Sequence, residues 1–500
     1  MKTKLLTFFK SSNLYIFLLP VFFVLHGFSE YYNLIKIPKA FELTAYYFAG
    51  TIIVLLISKL LLKTWTRAAL FSLVVLCIYF FFGSFQDFLM AQFKGSFITR
   101  YSFLLPAIFI IVLIKFIYFK KTKHSFEKLK LYLNTLILLL MLFDCINVLA
   151  KANKKARLTI ASQAELPVCS DCPKPDIYFI ITDGYSGSNA LKKFYNYDNS
   201  AFENSLKDKG FFIADSSFSN YNYTVFSIGS MLNIDLLNIP GNYNGTKDIP
   251  VAFDAVRNNR IIDYFQKEGY RIYNYSIFDL KENPPIVKNR MLDFEKNPLK
   301  TQTFLYRVNK DLGYHLITTL GFTFLQSEAK KNSVADLGDM TIIDSLTKAA
   351  SKAPATVPKF VYTHLVMPHW PYYYDSTGVR NTEEKLAKAM FANKTAYVSY
   401  LKYANNKLLD LIDKINSNTK GNAIIILVSD HACRECLETD PERGNAELQN
   451  ISAVYFPNKN YSGFYKGISN VNLFRIVLNN QFNKKLPLLK DSLVLLKKEN

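Results

Sequence analysis

Two short apolar runs, Asp176–Thr182 and Ala423–Ser429, each end in a carboxylate: Asp183 after the first, Asp430-His431 after the second. Both runs read as buried strands. A carboxylate at the carboxyl end of a strand in an open α/β sheet lies in the crevice where such folds bind ligands. Together the two ends offer oxygen, oxygen and imidazole nitrogen, a set suited to a divalent cation, zinc or manganese. A third piece, Tyr223–Leu232, carries Thr224 and Ser227. A hydroxyl is a poor nucleophile at neutral pH, and coordination to a cation lowers its pKa and aims it. Asp183, Asp430 and His431 are therefore expected to hold one divalent ion, with Thr224 completing the shell and attacking. Phosphoryl transfer is mostly positioning and charge neutralisation, so this small set suffices for it. Taken alone, Thr224 reads as a turn or helix-capping threonine. The other two motifs raise it to a nucleophile, and the pattern predicts a metal-dependent enzyme.

Short apolar strands alternate with helices from Asp176 onward. That alternation predicts an α/β domain with a mainly parallel sheet and helices on both faces. Val256–Glu268 reads as a helix and Tyr270–Tyr275 as a strand. Lys359–Leu365 reads as another buried run and leads into Met367-Pro368-His369-Trp370-Pro371-Tyr372. In Thr395–Ile415, residues Val398, Leu401, Leu408, Leu411, Ile412 and Ile415 share one helical face. Residues 280–350 show no readable pattern. Val471–Arg475 and Asn479–Phe482 read as an amphipathic helix packed on the sheet, with no catalytic role.

The 500 residues are 50% hydrophobic, and the apolar residues are concentrated before about residue 150. About five spans are expected there: Asn13–Phe28, Leu43–Leu62, Ala68–Gly83, Tyr101–Phe119 and Leu131–Ala150. No small-residue cleavage site follows the first, which argues against a signal peptide. Lys2, Lys4 and Lys10, then Lys63 and Arg67, then Lys120, Lys121, Lys123, Lys128 and Lys130 mark one side as cytoplasmic. The positive-inside rule then puts everything after the fifth span outside, because long domains cross largely regardless of charges such as Lys154, Lys155 and Arg157. The expected division is a transmembrane domain at 1–150, a linker at 151–175 and an extracytoplasmic domain at 176–500 in the inner or plasma membrane. A net charge of +20 invites a nucleic-acid reading, but no basic-aromatic module accompanies it. Attraction to anionic lipid is the plainer account. The pairs Cys169/Cys172 and Cys433/Cys436 would suggest zinc in a reducing cytosol. Outside the membrane disulfides are favoured, one of them close to the Asp430-His431 loop.

Asp183-Gly184-Tyr185, Thr224-x-x-Ser227, the His364/His369 segment and Ser429-Asp430-His431 occur in the order seen in the alkaline phosphatase/sulfatase superfamily, which the chain resembles over roughly 176–482. Five spans ahead of such a domain resemble lipoteichoic acid synthases and lipid A phosphoethanolamine transferases. The resemblance implies Asp183, Asp430 and His431 as metal ligands and Thr224 as the residue that carries a covalent intermediate. It implies His369 as a contact to substrate or leaving group and His364 in a similar part, against a hydrogen-bonded core histidine at a strand end. It implies transfer of a phospho-alcohol group from a membrane phospholipid to an envelope glycan or lipid. The alternative is a phosphodiesterase or phosphatase in which water takes the group. Sulfate-ester hydrolysis stands third, because Thr224-Val225-Phe226-Ser227-Ile228 lacks the Cys/Ser-x-Pro-x-Arg pattern. No histidine follows His431, which removes a late ligand of two-metal relatives and favours a single ion. Ala432 replaces the usual glycine. Arg434 is placed to contact a phosphate, or is a surface residue paired with Glu435 or Glu438. Asn222-Tyr223-Thr224 also matches a glycosylation sequon, read as chance because a glycan would obstruct the nucleophile.

Overall fold

The computed structural model describes residues 2–32, 35, 37–93, 95–153, 166–239, 241–243, 248–286, 297–309, 311–312, 339–353, 356–382, 385–386, 393–437 and 440–498. Lys154, Lys155, Arg157, Glu438 and the middle of the expected linker lie outside them. The chain divides into two compact units, one of Met1–Ala156 with Asp293–Ser333 and Asn500, the other of Arg157–Leu292 with Val334–Glu499.

The second unit is built on a six-stranded sheet in the order β2-β7-β6-β1-β5-β4. Its strands are β1 (Asp176–Thr182), β2 (Phe212–Ile213), β4 (Arg271–Tyr275), β5 (Lys359–Leu365), β6 (Ala423–Ser429) and β7 (Ser452–Tyr455). A separate parallel pair joins β3 (Asn242–Tyr243) to β8 (Lys497–Lys498). The four strands β6, β1, β5 and β4 run parallel. β7 runs antiparallel to β6, and β2 antiparallel to β7, so the sheet is mixed rather than purely parallel. Every residue of β5 and β6 is buried. That is the pattern of strands covered on both faces.

Alternate residues feed two cores. Ile177, Phe179 and Ile181 pack with Phe360, Tyr362, Ile424, Ile426 and Val428 on one face. Helices Thr224–Asn233, Arg260–Lys267 and Asn470–Phe482 cover that face through Ile228, Phe265 and Phe474, among others. Tyr178, Ile180, Val361, Ile425 and Leu427 face the other way, beneath helix Lys394–Thr419. On that helix Leu401, Leu408, Leu411, Ile412 and Ile415 are buried, while Val398 is only partly so. The single helix expected over Val256–Glu268 is two, Asp248–Arg257 and Arg260–Lys267. Asn259 divides them: its side chain accepts the Ile262 amide at 2.8 Å and caps the second helix.

In the first unit, Ile37–Leu62, Trp65–Gln92, Tyr101–Lys121 and Glu127–Ala152 are long and apolar enough to cross a membrane. The remaining expected span is a 16-residue helix, Tyr15–Glu30, with Pro20 inside it. At 1.5 Å per residue it reaches roughly 24 Å, short of the roughly 30 Å hydrocarbon layer. His26 Nδ1 lies 3.2 Å from both oxygens of Asp144 and ties this helix to the last one. The stretch 297–312, unreadable in sequence, packs onto these helices. Leu299 fills the space that a side chain on Gly27 would need. The Gly83 amide donates to the Gln302 carbonyl at 2.8 Å, and a Cβ on Gly83 would sit 2.7 Å from Gln302 Cα. Arg307 makes two hydrogen bonds to the Asp87 carboxylate, at 2.8 and 2.7 Å.

Phe179 sits on the central strand with ring centroids 5.0 Å from Tyr362 and 4.9 Å from Phe474. Phe179→Ala should destabilise the unit by about 3–5 kcal/mol, read as a lowered denaturant midpoint with an unchanged slope.

Candidate metal centre

Strand order brings the carboxyl ends of β1, β5 and β6 side by side, with Asp183 and Asp430 just past two of them and His364 next to last in β5. Thr182 pairs with Leu365 on one side and with Ser429 on the other. Asp183, His364 and Asp430 are thereby gathered so that one ligand atom from each lies within 4.8 Å of the others. Asp430 and His364 are fully buried, and Asp183 and His431 nearly so. His364 Nε2 is 3.4 Å from Asp183 Oδ2. His431 Nε2 is 3.4 Å from Asp430 Oδ2 and 3.8 Å from Asp183 Oδ1.

The hydrogen bonds around these groups fix which atoms face inward. Asp430 Oδ1 accepts the amides of His431 at 2.9 Å and Gly184 at 3.2 Å. Among the described residues its Oδ2 has no hydrogen-bond partner, nor do Asp183 Oδ1 and His364 Nδ1. His431 Nδ1 lies 2.7 Å from the Ala432 carbonyl. A carbonyl only accepts, so Nδ1 carries the proton and Nε2 carries the lone pair. Two buried carboxylate oxygens, Asp183 Oδ1 and Asp430 Oδ2, therefore stand without a donor among the described residues. Burial works to raise the Asp183 carboxyl, but His369, His364 and His431 together hold it well below the usual carboxylate range. Two carboxylates and an imidazole nitrogen at this spacing fit a divalent cation.

Thr224 is the first residue of its helix, and its Oγ1 lies 3.1 Å from His431 Nε2. The first amides of a helix have no partner within it, and that end carries partial positive charge. A phosphoryl group on Thr224 would meet both. Ser227, one turn on, donates to the Asp430 carbonyl at 2.7 Å and locks this helix to the β6 loop. Gly184 has φ +71, and a Cβ there would lie 3.6 Å from His369 Cα, Cβ and Cδ2. His369 thus sits directly over the turn that follows Asp183. Its Nδ1 donates to the Trp370 carbonyl at 2.5 Å, leaving Nε2 as the lone-pair nitrogen.

All six residues singled out from sequence, Asp183, Thr224, His364, His369, Asp430 and His431, fall in this one region. His364 differs in part: it lies within ligand distance of both carboxylates rather than among the outer substrate contacts. The Arg434 guanidinium lies over the Tyr223 ring, its carbon 4.0 Å from the ring centroid. Arg434 also donates to the Asn222 carbonyl at 3.2 Å, so it rests on the two residues before Thr224. Cys433 and Cys436 are disulfide-bonded around it, as are Cys169 and Cys172 near the start of β1. Tyr362, on β5, had no signal in sequence beyond its place in an apolar run. Burial, then Asp430 and Asp183, push its hydroxyl pKa well up, so it stays protonated beside them.

Residues 175–478 match the family model described as Sulfatase. No curated protein matches the chain. Among solved structures, the chain is similar to the C-terminal periplasmic domain of EptC from Escherichia coli in complex with zinc. Identity is 12% and the TM-score 0.40, over 64% of this chain and 86% of that one. It is similar to the C-terminal periplasmic domain of phosphoethanolamine transferase EptC from Campylobacter jejuni, at 15% identity and a TM-score of 0.37, over 67% of this chain and 100% of that one. A protein of the alkaline phosphatase superfamily from Vibrio parahaemolyticus is similar at 13% identity and a TM-score of 0.38, over 67% and 79%.

Asp430→Asn keeps the shape of the side chain and removes its charge. The purified chain should then lose its bound metal, measured as moles of zinc or manganese per mole of protein. Equal metal content in wild type and variant would place the ion elsewhere.

Proposed function

The chain belongs to the sulfatase family, whose members are enzymes of phosphoryl transfer or ester hydrolysis, and on that premise we propose that it is a metal-dependent, membrane-anchored phosphotransferase. The observation that carries this reading is Thr224 Oγ1 at a helix N-terminus, 3.1 Å from His431 Nε2, beside buried carboxylate oxygens that lack partners. Asp183, Asp430, His431 and His364 would hold one cation, zinc or manganese. When bound, it lowers the pKa of a coordinated hydroxyl and offsets phosphoryl charge.

Thr224 Oγ bonds to phosphorus as the bond between phosphorus and the donor's lipid alcohol breaks. The proton lost by Thr224 is matched by the one that the departing alcohol gains. His369, over Gly184, is the group that relays it. A hydroxyl of an envelope glycan or lipid then takes the phospho-alcohol group, the Thr224–phosphorus bond breaks, and Thr224 regains its proton. Arg434 and the amides at the start of the Thr224 helix bind the phosphoryl oxygens. Threonine cannot yield the aldehyde that sulfate-ester hydrolysis uses in this family, which supports phosphorus over sulfur.

A membrane phospholipid is the donor because the catalytic half follows four apolar helices on the same chain. The disulfides Cys169–Cys172 and Cys433–Cys436 support an oxidising compartment outside the cytoplasm. The loop charges of the helical region point the same way.

The mass of the Thr224 peptide, from protein purified out of intact membranes, tests the reading. A phosphoethanolamine, phosphoglycerol or phosphate adduct on Thr224, absent from Thr224→Ala, is the expected result. Cleavage of phospholipid at the wild-type rate by Thr224→Ala would exclude the covalent route, and release of free phospho-alcohol without an acceptor would make water the second substrate. Arg434→Ala should lower kcat/KM by roughly 10²–10³-fold, the usual effect of losing one oxyanion donor, with metal content unchanged.

A further inference from the structure

Three successive carbonyls at the end of β6 are each gripped by a side chain. Ser227 Oγ donates to Asp430 O at 2.7 Å, and Ser429 Oγ donates to His431 O at 2.6 Å. The third, Ser429 O, accepts two side-chain amides: Asn450 Nδ2 at 2.5 Å and Asn470 Nδ2 at 3.0 Å. Asn450 Nδ2 also donates to Asn470 Oδ1 at 3.0 Å. Both asparagines are 2% exposed. Two acceptors facing Asn450 Nδ2 fix the orientation of that amide.

The reason lies in the strand ladder. The Ser429 amide donates to the Ile451 carbonyl at 2.9 Å, on the β7 side. The amide and carbonyl of one strand residue point to the same neighbour, so Ser429 O also faces β7. Regular pairing there ends with Val428 against Ser452. The two asparagines supply the donors that the next rung would have given. They leave Asp430 and His431 free of the ladder but held from behind.

The same residues grip the approach to the nucleophile. The Asn450 amide donates to Ser217 O at 3.2 Å, and the Asn470 amide donates to Phe218 O at 3.0 Å. Val471, next in the C-terminal helix, donates its amide to Asn220 Oδ1 at 2.8 Å. One turn further along that helix, Arg475 Nε donates to Ile234 O at 2.8 Å, where the Thr224 helix ends. Asn450 Oδ1 is buried without a hydrogen-bond partner. An apolar residue would avoid that cost, which argues that the site needs the amide.

We infer that Asn450 and Asn470 are positioning residues that register the metal loop against the Thr224 helix, and that the helix Asn470–Phe482 is part of the active centre rather than packing alone. The inference rests on the metal centre proposed above. Second partners of this kind typically alter metal affinity by about 10–100-fold.

The test uses the full chain in detergent, with Mn²⁺ or Zn²⁺ alone as the probe and a competing chelator to set free metal. Asn470→Asp removes the donor and places a carboxylate against Ser429 O; Asn470→Ser is the milder variant should the first not fold. Asn479→Ser is the control. Asn479 clamps Leu486 in the same helix by two hydrogen bonds, at 3.0 and 2.8 Å, away from the metal loop. The expected result is metal affinity lower by at least about tenfold in the Asn470 variants, with kcat lowered more than KM is changed. Asn479→Ser should shift the thermal midpoint of the metal-free chain yet bind metal as wild type does. Wild-type affinity in a folded Asn470→Ser would overturn the inference, as would an equal loss in Asn479→Ser. A wild-type chain that binds neither cation overturns the metal reading itself, and this inference with it.

Discussion

Asp183 Oδ1 and Asp430 Oδ2 both lie close to His431 Nε2 in a buried site, and among the described residues neither oxygen has a donor. Acceptor atoms desolvated in this way repel one another unless a positive charge joins them. Every nearby device serves to keep them there. Asp430 is anchored by its other oxygen, His431 by its other nitrogen, and Asp183 by the backbone bond from its amide to Leu365 O at 2.9 Å. A site that gathers two buried carboxylates in this way suits a divalent cation, and the Thr224 hydroxyl lies beside it.

The sheet makes that arrangement possible. Parallel strands point their carboxyl ends the same way, so residues at the ends of β1, β5 and β6 meet although 246 positions separate Gly184 from Asp430. The antiparallel β7 borders the parallel block, and the residue two before it, Asn450, holds the Ser429 carbonyl ahead of the metal loop. The Thr224 helix is joined to that loop by Ser227 and places the Thr224 hydroxyl beside His431 at the end where helix amides point outward. Arg434, stacked on Tyr223 and enclosed by a disulfide, adds a positive charge where the helix begins.

The helical unit is more than an anchor for a soluble enzyme. A stretch inserted between β4 and β5 leaves the catalytic fold and packs with the membrane-capable helices, through Leu299 at Gly27, Gln302 at Gly83 and Arg307 on Asp87. Small residues on apolar helices let another backbone approach closely. The chain therefore passes between the two units more than once.

Local pattern revealed the ligand-bearing strand ends, the face of helix Lys394–Thr419 and four membrane-capable helices, because each depends on period, run length or an adjacent polar residue. The superfamily order of Asp183, Thr224, His369 and Asp430-His431 was legible for the same reason: short motifs keep their local form. Only the folded chain decided the rest. Asn259 split one expected helix by capping, and β7 turned against the sheet. His364 joined the carboxylates because β5 lies beside β1. Asn450, Asn470 and Tyr362 gained their places through contacts that sequence spacing does not encode. The physical reason is that a hydrogen bond across 20 to 250 residues is set by register and packing, whereas helical period and strand length are set by the residues themselves.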